Sequence, residues 1–312
     1  MSRPLVSVSI TTYQHAPYIA EALDSVLEQR GDFDLEILLG EDGSVDGTRE
    51  ICEHYARQHP DPISLAVHSR DTMIRIGGRA TGRYNFAYNF RRARGDYFCL
   101  LDGDDRFLGP DRLAAQLHHL ETHPSHSSVS GRVVYMDQNS WWPMRYPEQF
   151  SYRQVLAHRV PATGSVMFRR ACLPETLEDW MLYEAPVLDA YLFAYATRHG
   201  PMAVLPRLVC ARRIHPGGVW TPQSASQQDR ALLKMSELAH LHLAEEPWEK
   251  EFLQQVIDED RSRIDEQERR SRNPLRALRW SRIRKRLRTM RVELSKRPLP
   301  LPESVLEGRI KG

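Results

Sequence analysis

Two carboxylates stand one residue apart in Asp102-Gly103-Asp104, directly after the apolar run 97–101. At the end of a strand, carboxylates at this spacing can share one hard divalent cation, Mn²⁺ or Mg²⁺, and that cation can bridge two phosphates of a nucleotide. Taken alone, the same residues would indicate a solvated acidic turn. Their place after a strand-like run, among other polar loops, favours the metal site.

A second acidic motif, 42–47, reads Asp-Gly-Ser-Val-Asp-Gly and has the oxygen spacing of a calcium-binding loop. Such a loop follows a helix and usually has an apolar residue at its eighth position. Here the β-rich run 36–39 comes first and Arg49 takes that position, so we reject the calcium loop. A strand, an acidic turn and a helix from Thr48 suit nucleotide recognition, with Asp42 accepting hydrogen bonds from a base or ribose.

These motifs follow strands of an alternating pattern of strands and helices. Period-two alternation and short apolar runs predict strands over 6–10, 35–39, 64–68, 97–101 and 128–136. Helical periodicity predicts helices after Pro17, from Thr48, from about Tyr84, over 112–122 and over 186–199. Such alternation predicts an α/β fold with a mostly parallel sheet flanked by helices, in which ligands bind at the carboxyl ends of the strands.

The remaining segments carry weaker patterns. The aromatic stretch 141–152 is predicted to be a loop, 160–168 an edge element, and 203–214 an extended pair broken by Pro206. From about residue 223 the sequence becomes helical in pattern and rich in Ala and Leu. We therefore expect a catalytic domain over 1–222, a helical extension over 223–268 and a basic helix with a Pro-rich tail over 269–312.

Three segments agree with one family pattern in order and spacing: 6–13, 36–48 and 95–105. Together they resemble the family 2 glycosyltransferases, in which a strand ending in Thr-x-Tyr precedes Asp-Gly-Ser-x-Asp-Gly-Thr, Gly-Asp-Tyr and Leu-Asp-x-Asp-Asp. The resemblance covers residues 4–220 and implies the GT-A fold. Glu41 stands where the family usually has a further aspartate. The Gln-x-x-Arg-Trp motif of processive polysaccharide synthases is absent from the sequence, which favours transfer of a single sugar.

The resemblance implies a nucleotide-sugar donor and a divalent cation, together with residues that hold them. The implied nucleotide-sugar set is Thr11, Tyr13, Asp42, Arg83, Asp102 and Gly103. The implied metal ligands are Asp102, Asp104 and His215, with Asp104 as the direct ligand of the two aspartates. Arg83 matches the family's Ala-Arg-Asn element only loosely, and a solvated arginine is its alternative. His215 is also a candidate diphosphate contact or an isolated structural histidine.

Sugar transfer needs a base because a sugar hydroxyl is a poor nucleophile, and positioned proton transfer is worth roughly 10²–10⁴ in rate. Asp189 lies in 187–193, which occupies the place of the family's acidic catalytic segment, so the resemblance implies that Asp189 takes the proton. Asp179 and Glu184 are rival bases. Capping of the predicted helix is a compatible alternative role for Asp189.

Other histidines carry no predicted site. Helical spacing is expected to send four of them in different directions: His118, His119, His123 and His126. His240 and His242, two residues apart on a predicted helix, cannot face each other and are expected at the surface.

Four cysteines are widely spaced and form no Cys-x-x-Cys pair: Cys52, Cys99, Cys172 and Cys210. We expect them to be reduced, as in cytosolic proteins. The sequence shows no apolar core of a signal peptide and no stretch approaching the roughly 18 apolar residues of a membrane span. We therefore expect a cytoplasmic protein, either in solution or on the inner face of the cell membrane.

The net charge of +2 conceals two opposite parts. Residues 269–297 hold thirteen of the 43 basic side chains and one acidic side chain, a charge of +12, and the other 30 basic and 40 acidic residues give −10. Apolar residues recur at helical spacing around Trp280 within that segment. A basic amphipathic helix with tryptophan favours contact with an anionic membrane. Docking on the acidic body, an oligomer interface and nucleic-acid binding are the alternatives, although no nucleic-acid motif accompanies the charge.

These observations predict a metal-dependent inverting glycosyltransferase that moves one sugar from a nucleotide-sugar, expected to be a UDP-sugar, to an acceptor hydroxyl. The expected acceptor is a carbohydrate or a lipid-linked sugar of bacterial-type polysaccharide or glycoconjugate synthesis at the cell surface. A sugar-phosphate nucleotidyltransferase is one alternative, but it needs a Gly-rich loop after the first strand, and 11–16 contains no glycine. A non-catalytic scaffold that binds lipid or nucleic acid through 269–297 is the other, and it would not need the acidic motifs.

Overall fold

A computed structural model describes residues 3–76, 78–137, 140–217 and 224–271 of the chain. The chain divides into two compact units, Met1–Pro222 and Gln223–Gly312. The basic segment 269–297 lies outside the described residues, apart from its first three. No described helix has both the length and the apolar character that crossing a bilayer requires.

The first unit combines strands and helices. Its strands are β1 (Leu5–Thr12), β2 (Asp34–Glu41), β3 (Ile63–Val67), β4 (Arg75–Ile76), β5 (Arg79–Ala80), β6 (Tyr97–Asp102), β7 (Arg106–Phe107), β8 (Ser128–Met136), β9 (Trp141–Pro143), β10 (Gln149–Phe150), β11 (Met167–Arg169) and β12 (Met202–Arg213). Its helices are α1 (Ile19–Leu27), α2 (Thr48–Gln58), α3 (Arg83–Arg92), α4 (Arg112–Thr122), α5 (Tyr152–Leu156), α6 (Asp179–Tyr183) and α7 (Asp189–Arg198). The second unit contains α8 (Ala225–His242) and α9 (Pro247–Ser271).

One sheet organises the first unit, with the strand order β10-β12-β8-β11-β6-β1-β2-β3. β1 is parallel to β2 and β6, β2 is parallel to β3, and β12 is parallel to β8. β11 runs antiparallel between β6 and β8, so β8 and β12 point the same way as β1 and β6. The predicted α/β fold is therefore confirmed, and the carboxyl ends of these parallel strands lie at one edge of the sheet.

The central strands are buried on both faces. Val6, Val8 and Ile10 of β1 belong to the main apolar cluster, and Ser7 and Ser9 between them are buried as well. Helix α1 adds its apolar face to the same cluster, which includes Ile19, Leu23 and Val26. A strand bonded on both edges and packed on both faces has little freedom to move. The loops that follow these strands therefore start from rigid positions.

Strand β11 corrects the prediction that 160–168 forms an edge element. It lies between β6 and β8, and Val166, Met167 and Phe168 are wholly buried. A strand of three residues is too short to show a period, so the pattern did not reveal its central position.

Three further predictions need correction. The stretch 141–152 is not a loop, because it contains β9 beside β8, β10 beside β12 and the first residue of α5. The segment 203–214 is one strand, and its register against β8 shifts between Leu205 and Cys210, around Pro206, which has no N–H to donate. The helix predicted over 186–199 begins at Asp189 and is preceded by the short helix α6.

The second unit is a pair of antiparallel helices. A capping box begins α8, since Ser224 Oγ accepts the Gln227 N–H and the Gln227 side chain accepts the Ser224 N–H. Within the pair, Ser236 donates to the buried carboxylate of Asp260 at 3.0 Å. Exposed ion pairs, such as Arg230–Glu268 at 2.9 Å, join the helices along their length.

Three histidines form a stacked cluster at the end of α4, so the prediction that they point in different directions is wrong. The ring centroids of His119 and His123 lie 4.2 Å apart, and those of His119 and His126 lie 5.1 Å apart. His119 Nε2 and His126 Nδ1 are 3.1 Å apart, which is a hydrogen-bond distance. Positions four apart share a helix face, and the turn after Thr122 brings His126 to that face. His118 is exposed.

We expect this cluster to lower the stability of the protein in mild acid. Burial and neighbouring charges, chiefly that of His123, lower the pKa of His119 and His126 below 6.5, so the unfolded chain binds protons more readily. Their contribution to stability is full above pH 6.5 and is lost as the pH falls through the lowered pKa values. Thermal unfolding at about pH 7.5 and about pH 5.5 measures the loss, since 1 kcal/mol shifts Tm by roughly 2–4 °C.

A matched pair of variants separates the cluster from the other histidines. The double variant His119→Gln, His126→Gln should show a smaller fall in Tm between the two pH values than the unmodified protein. The exposed His118→Gln control should show the full fall. An equal fall in all three proteins would contradict the role of the cluster.

Candidate active site

The loop after β1 is joined to the loop after β2 by three main-chain hydrogen bonds. The donors are the N–H groups of the consecutive residues 14–16, and the acceptors are, in order, Ser44 Oγ at 2.9 Å, Thr48 Oγ1 at 2.8 Å and Asp46 Oδ2 at 3.1 Å. Gln14 has a positive φ of 55°, so the chain turns sharply here. The polar residues of the motif 42–48 therefore fix the loop that carries Tyr13 and His15.

Glu41 stabilises the turn of the same motif through its side chain. Its carboxylate accepts the N–H groups of Gly43 at 3.1 Å and Ser44 at 2.6 Å. Gly43 and Gly47 have φ values of 72° and 100°, a left-handed conformation that glycine adopts without steric cost. Glutamate at position 41 thus supplies the turn with a carboxylate that is fully used within the protein.

Asp42 and Tyr13 share Arg70 as a neighbour beside this turn. Asp42 is 2% exposed, and its Oδ1 has no hydrogen-bond partner among the described residues. Burial raises the pKa of Asp42 to about 7, while the nearby Asn85 and Arg70 side chains oppose the rise. Tyr13 is 38% exposed, and the guanidinium carbon of Arg70 lies 3.9 Å from its ring centroid. This oxygen is itself buried; an unpartnered carboxylate oxygen near an exposed aromatic ring is nevertheless the kind of acceptor that suits the N–H group of a planar base.

Gly103 allows the turn after β6 to approach the loop after β1. The Gly103 N–H donates to the Thr11 carbonyl at 2.9 Å. A Cβ atom at this position would fall 2.6 Å from Thr12 Oγ1 and 3.0 Å from His15 Nδ1. Glycine is therefore required here on steric grounds. Contact of Thr11 or Gly103 with a nucleotide stays a prediction.

Three carboxylates crowd the turn after β6. One oxygen from each of Asp102, Asp104 and Asp105 lies within 4.8 Å of the other two. The Asp102 residue has an exposed surface. Its carboxylate is nevertheless surrounded by many protein atoms, and this desolvation, together with the charges of Asp104 and Asp189, raises the pKa of Asp102 to about 7. Burial and the charge of Asp104 hold the pKa of Asp105 well above its ordinary value, and Asp105 accepts the Arg213 N–H at 2.8 Å. So much negative charge in one turn favours a bound cation.

His15 and His215 approach Asp104 from two different loops. Asp104 Oδ2 is 2.8 Å from His215 Nε2 and 3.8 Å from His15 Nε2. One ligand atom from each of the three residues lies within 4.8 Å of the others, and imidazole with carboxylate suits a divalent transition metal. The structure brings the predicted ligands Asp104 and His215 together, and it adds His15, which the sequence analysis missed. The available signal was its place two residues after Tyr13, at the carboxyl end of β1.

Arg213 holds the main chain at Asp104 in place. Its Nη1 donates to the Asp104 carbonyl at 2.8 Å, and its Nη2 pairs with Glu21 of α1. Arg106 pairs with the other oxygen of the same glutamate. The end of β12, helix α1 and the turn after β6 are thereby joined, which positions His215 two residues beyond Arg213.

Asp189 is the first residue of α7 and lies close to this acidic turn. Its carboxylate accepts a hydrogen bond from Thr163 Oγ1, and its charge contributes to the raised pKa of Asp102. The alternative role as a helix cap is not seen, because the N-cap position of α7 belongs to Leu188. The rival bases, Asp179 and Glu184, are exposed.

Arg83 holds the chain that leads to Asp189. It is buried, and its guanidinium donates to four carbonyl oxygens, two in α6 and two between α6 and α7: those of Met181, Leu182, Ala185 and Pro186. The solvated-arginine alternative is therefore wrong. Direct contact between Arg83 and a nucleotide-sugar stays a prediction.

Comparison with known sequences points to one family. The family model described as "Glycosyl transferase family 2" matches residues 7–173. An uncharacterized protein of Mycobacterium tuberculosis is 30% identical over 220 residues, which cover 69% of this chain and 60% of that protein. The chain thus spans less than two thirds of the length of this curated relative.

Solved structures share the fold at lower sequence identity. Staphylococcus aureus TarS, in complex with UDP-GlcNAc, has a TM-score of 0.56 and 18% identity, with 82% of this chain and 71% of that chain covered. The mannosyltransferase PcManGT from Pyrobaculum calidifontis, in complex with GDP-Man and Mn²⁺, has a TM-score of 0.54 and 20% identity, with coverage of 83% and 76%. The likeness in fold agrees with the predicted GT-A architecture.

The substitution Gly103→Ala should destabilise the protein, because the new Cβ would overlap with Thr12 and His15 at 2.6 Å to 3.0 Å. Overpacking of this kind costs roughly 1–3 kcal/mol, which chemical unfolding measures. Gly82→Ala is the matched control, since its Cβ would meet no atom closer than 3.4 Å. Equal stability of the two variants would contradict the steric role of Gly103.

Proposed function

The chain belongs to glycosyl transferase family 2, and we propose that it transfers one sugar from a UDP-sugar to an acceptor hydroxyl with a divalent cation. The observation that carries this proposal is the gathering of three groups at one edge of the sheet. They are the free carboxylate oxygen of Asp42, the pair of Asp104 and His215, and Asp189. A nucleotide-sugar donor needs the first two groups, and an acceptor hydroxyl needs the third.

The base of the donor binds beside the turn after β2 in this proposal. Its ring stacks on the accessible face of Tyr13, and Asp42 Oδ1 accepts an N–H from its edge. Thr11 and Asp102 are paired at the ends of the neighbouring strands β1 and β6. The ribose of the donor binds beside them. TarS, which shares the fold, was solved with UDP-GlcNAc, and this supports the choice of uracil. PcManGT was solved with GDP-Man, so a guanine nucleotide is the alternative donor.

Asp104 and His215 would hold the cation at the diphosphate end of the donor. When bound, a divalent cation would supply positive charge that offsets the negative charge on the departing diphosphate. Arg213 keeps Asp104 in place through its main-chain carbonyl, and Asp102 lies on the solvent side of the same turn.

Asp189 takes the proton from the acceptor hydroxyl. The acceptor oxygen attacks the anomeric carbon, the bond from that carbon to the diphosphate oxygen breaks, and the proton moves to the Asp189 carboxylate. A single displacement of this kind inverts the anomeric centre. The hydroxyl of Thr163 donates to Asp189 and orients it.

The geometry suits the two alternative classes less well. A nucleotidyltransferase needs free main-chain N–H groups after its first strand to bind phosphates. Here the N–H groups of 14–16 already donate to side chains of the motif 42–48. A non-catalytic scaffold has no use for Asp189 beside Asp102.

The variant Asp189→Asn should bind the donor normally but transfer sugar roughly 10²–10⁴ times more slowly. The amide keeps the size of the side chain and cannot accept the proton. UDP release from UDP-sugars with simple glycosides as acceptors measures transfer, and a thermal shift with UDP-sugars and Mn²⁺ measures donor binding. Asp179→Asn, an exposed position at the start of α6, is the control and should transfer normally. Normal transfer by Asp189→Asn would place the base elsewhere.

Residues 269–297, with their charge of +12, bring the enzyme to an anionic membrane surface in this proposal. A lipid-linked acceptor of cell-surface polysaccharide or glycoconjugate synthesis would lie at such a surface. The support is the sequence pattern of basic and apolar residues.

Deletion of 269–312 should weaken binding to anionic vesicles by about tenfold or more, because each basic residue near the surface contributes roughly 1 kcal/mol. Sedimentation with phosphatidylglycerol vesicles, compared with phosphatidylcholine vesicles, measures the effect. Deletion of 298–312 is the control, since it leaves the basic segment in place. Equal binding by both truncated proteins would favour docking of the segment on the acidic body.

A further inference from the structure

We propose that His15 is a third protein ligand of the cation, and that His15, Asp104 and His215 form a site selective for a first-row transition metal such as Mn²⁺ over Mg²⁺. The inference rests on the proposed function, because it concerns the cation of the same candidate site. It adds the class of metal, and it predicts that the protein binds the metal before the donor arrives.

The three side chains converge on one point from separate elements. His15 lies in the loop after β1, Asp104 in the turn after β6, and His215 just after β12. Both Nε2 atoms face the same carboxylate oxygen, Asp104 Oδ2, at 3.8 Å from His15 and 2.8 Å from His215. The side chains are 17%, 17% and 13% exposed in that order, so all three are largely shielded from solvent.

The surroundings of His15 orient its Nε2 toward that point. Its Nδ1 lies 3.3 Å from Thr12 Oγ1, and in the tautomer that donates this hydrogen bond Nε2 presents a lone pair. Histidine ligands of metals commonly donate their other ring N–H in this way. The His15 N–H donates to Thr48 Oγ1 at 2.8 Å, and the missing Cβ of Gly103 leaves room for the ring.

Tyr18 packs against both imidazoles. Its ring centroid lies 5.1 Å from that of His215 and 6.5 Å from that of His15. An aromatic ring in contact with both histidines limits their rotation and excludes water from one side. Little reorganisation is then needed when a metal enters.

The donor set decides which metal binds. Imidazole nitrogen is a good ligand for manganese, iron, cobalt and zinc, whereas Mg²⁺ prefers oxygen ligands and keeps several waters. The neighbouring carboxylates do not form a complete oxygen site, because Asp105 is buried and accepts the Arg213 N–H. Three protein ligands can also retain a metal without help from a diphosphate, whereas sites completed by substrate phosphates cannot.

Manganese binding by the full-length protein without nucleotide tests the inference directly. The six-line electron paramagnetic resonance signal of free Mn²⁺ disappears on binding, and Mg²⁺ is added as a competitor. We expect His15→Ala to weaken Mn²⁺ binding by about tenfold or more and to reduce the preference for Mn²⁺ over Mg²⁺. His54→Ala, which removes an exposed histidine on α2, should leave both quantities unchanged.

Two outcomes separate this inference from the proposed function. Donor binding with unchanged Mn²⁺ affinity in His15→Ala would overturn the inference and leave the proposed function standing. Tight Mn²⁺ binding that depends on His15, without binding of any nucleotide-sugar, would support the inference and overturn the proposed function.

A measurement on the unmodified protein covers the case in which His15→Ala does not fold. Electron spin-echo modulation of bound Mn²⁺ detects the nitrogen nuclei of coordinated imidazoles. Modulation from two imidazoles supports the site. Modulation from one imidazole or from none overturns it.

Discussion

Three main-chain N–H groups between the end of β1 and the start of α1 hold together the loops of the candidate site. They donate to Ser44, Asp46 and Thr48. The position of the loop after β1 therefore depends on the position of the loop after β2. Each bond joins a main-chain donor to a polar side chain, and the two bonds to Ser44 and Thr48 are partly buried, where a lost partner would be costly. Tyr13 and His15 on one loop and Asp42 on the other are therefore placed as one unit.

The carboxylates of the candidate site fall into two groups: those paired within the protein and those without such a partner. Glu21 pairs with Arg106 and Arg213, Glu41 accepts two N–H groups of its own turn, and Asp105 accepts the Arg213 N–H. Asp42 keeps an oxygen without a partner among the described residues, and Asp102 stays open to solvent. The acids that stabilise the candidate site are thus distinct from those left for a ligand, although Glu41 and Asp42 are adjacent in the sequence.

The fold and the two acidic motifs could be predicted from the sequence because their signals are local. Long alternating strands, amphipathic helices and short carboxylate motifs each lie within a dozen residues. The remainder depends on contacts between distant residues. The proximity of His15 to His215 requires β12 to return beside β8, β11 is too short to show a period, and the stacked histidines need the turn after α4. The hydrogen bonds of Arg83 could not be predicted either, because every residue has a main-chain carbonyl and the sequence does not show which ones accept.

The bonds that hold the loop after β1 use the main-chain N–H groups of residues 15 and 16, not their side chains. An exchange of His15 would therefore keep these main-chain hydrogen bonds. The side chain at position 15 can thus differ without loss of these bonds, whereas Ser44, Asp46 and Thr48 form them with their own side chains. If His15 has the proposed role, a single substitution would change the metal preference of the site and keep the loop after β1 in place.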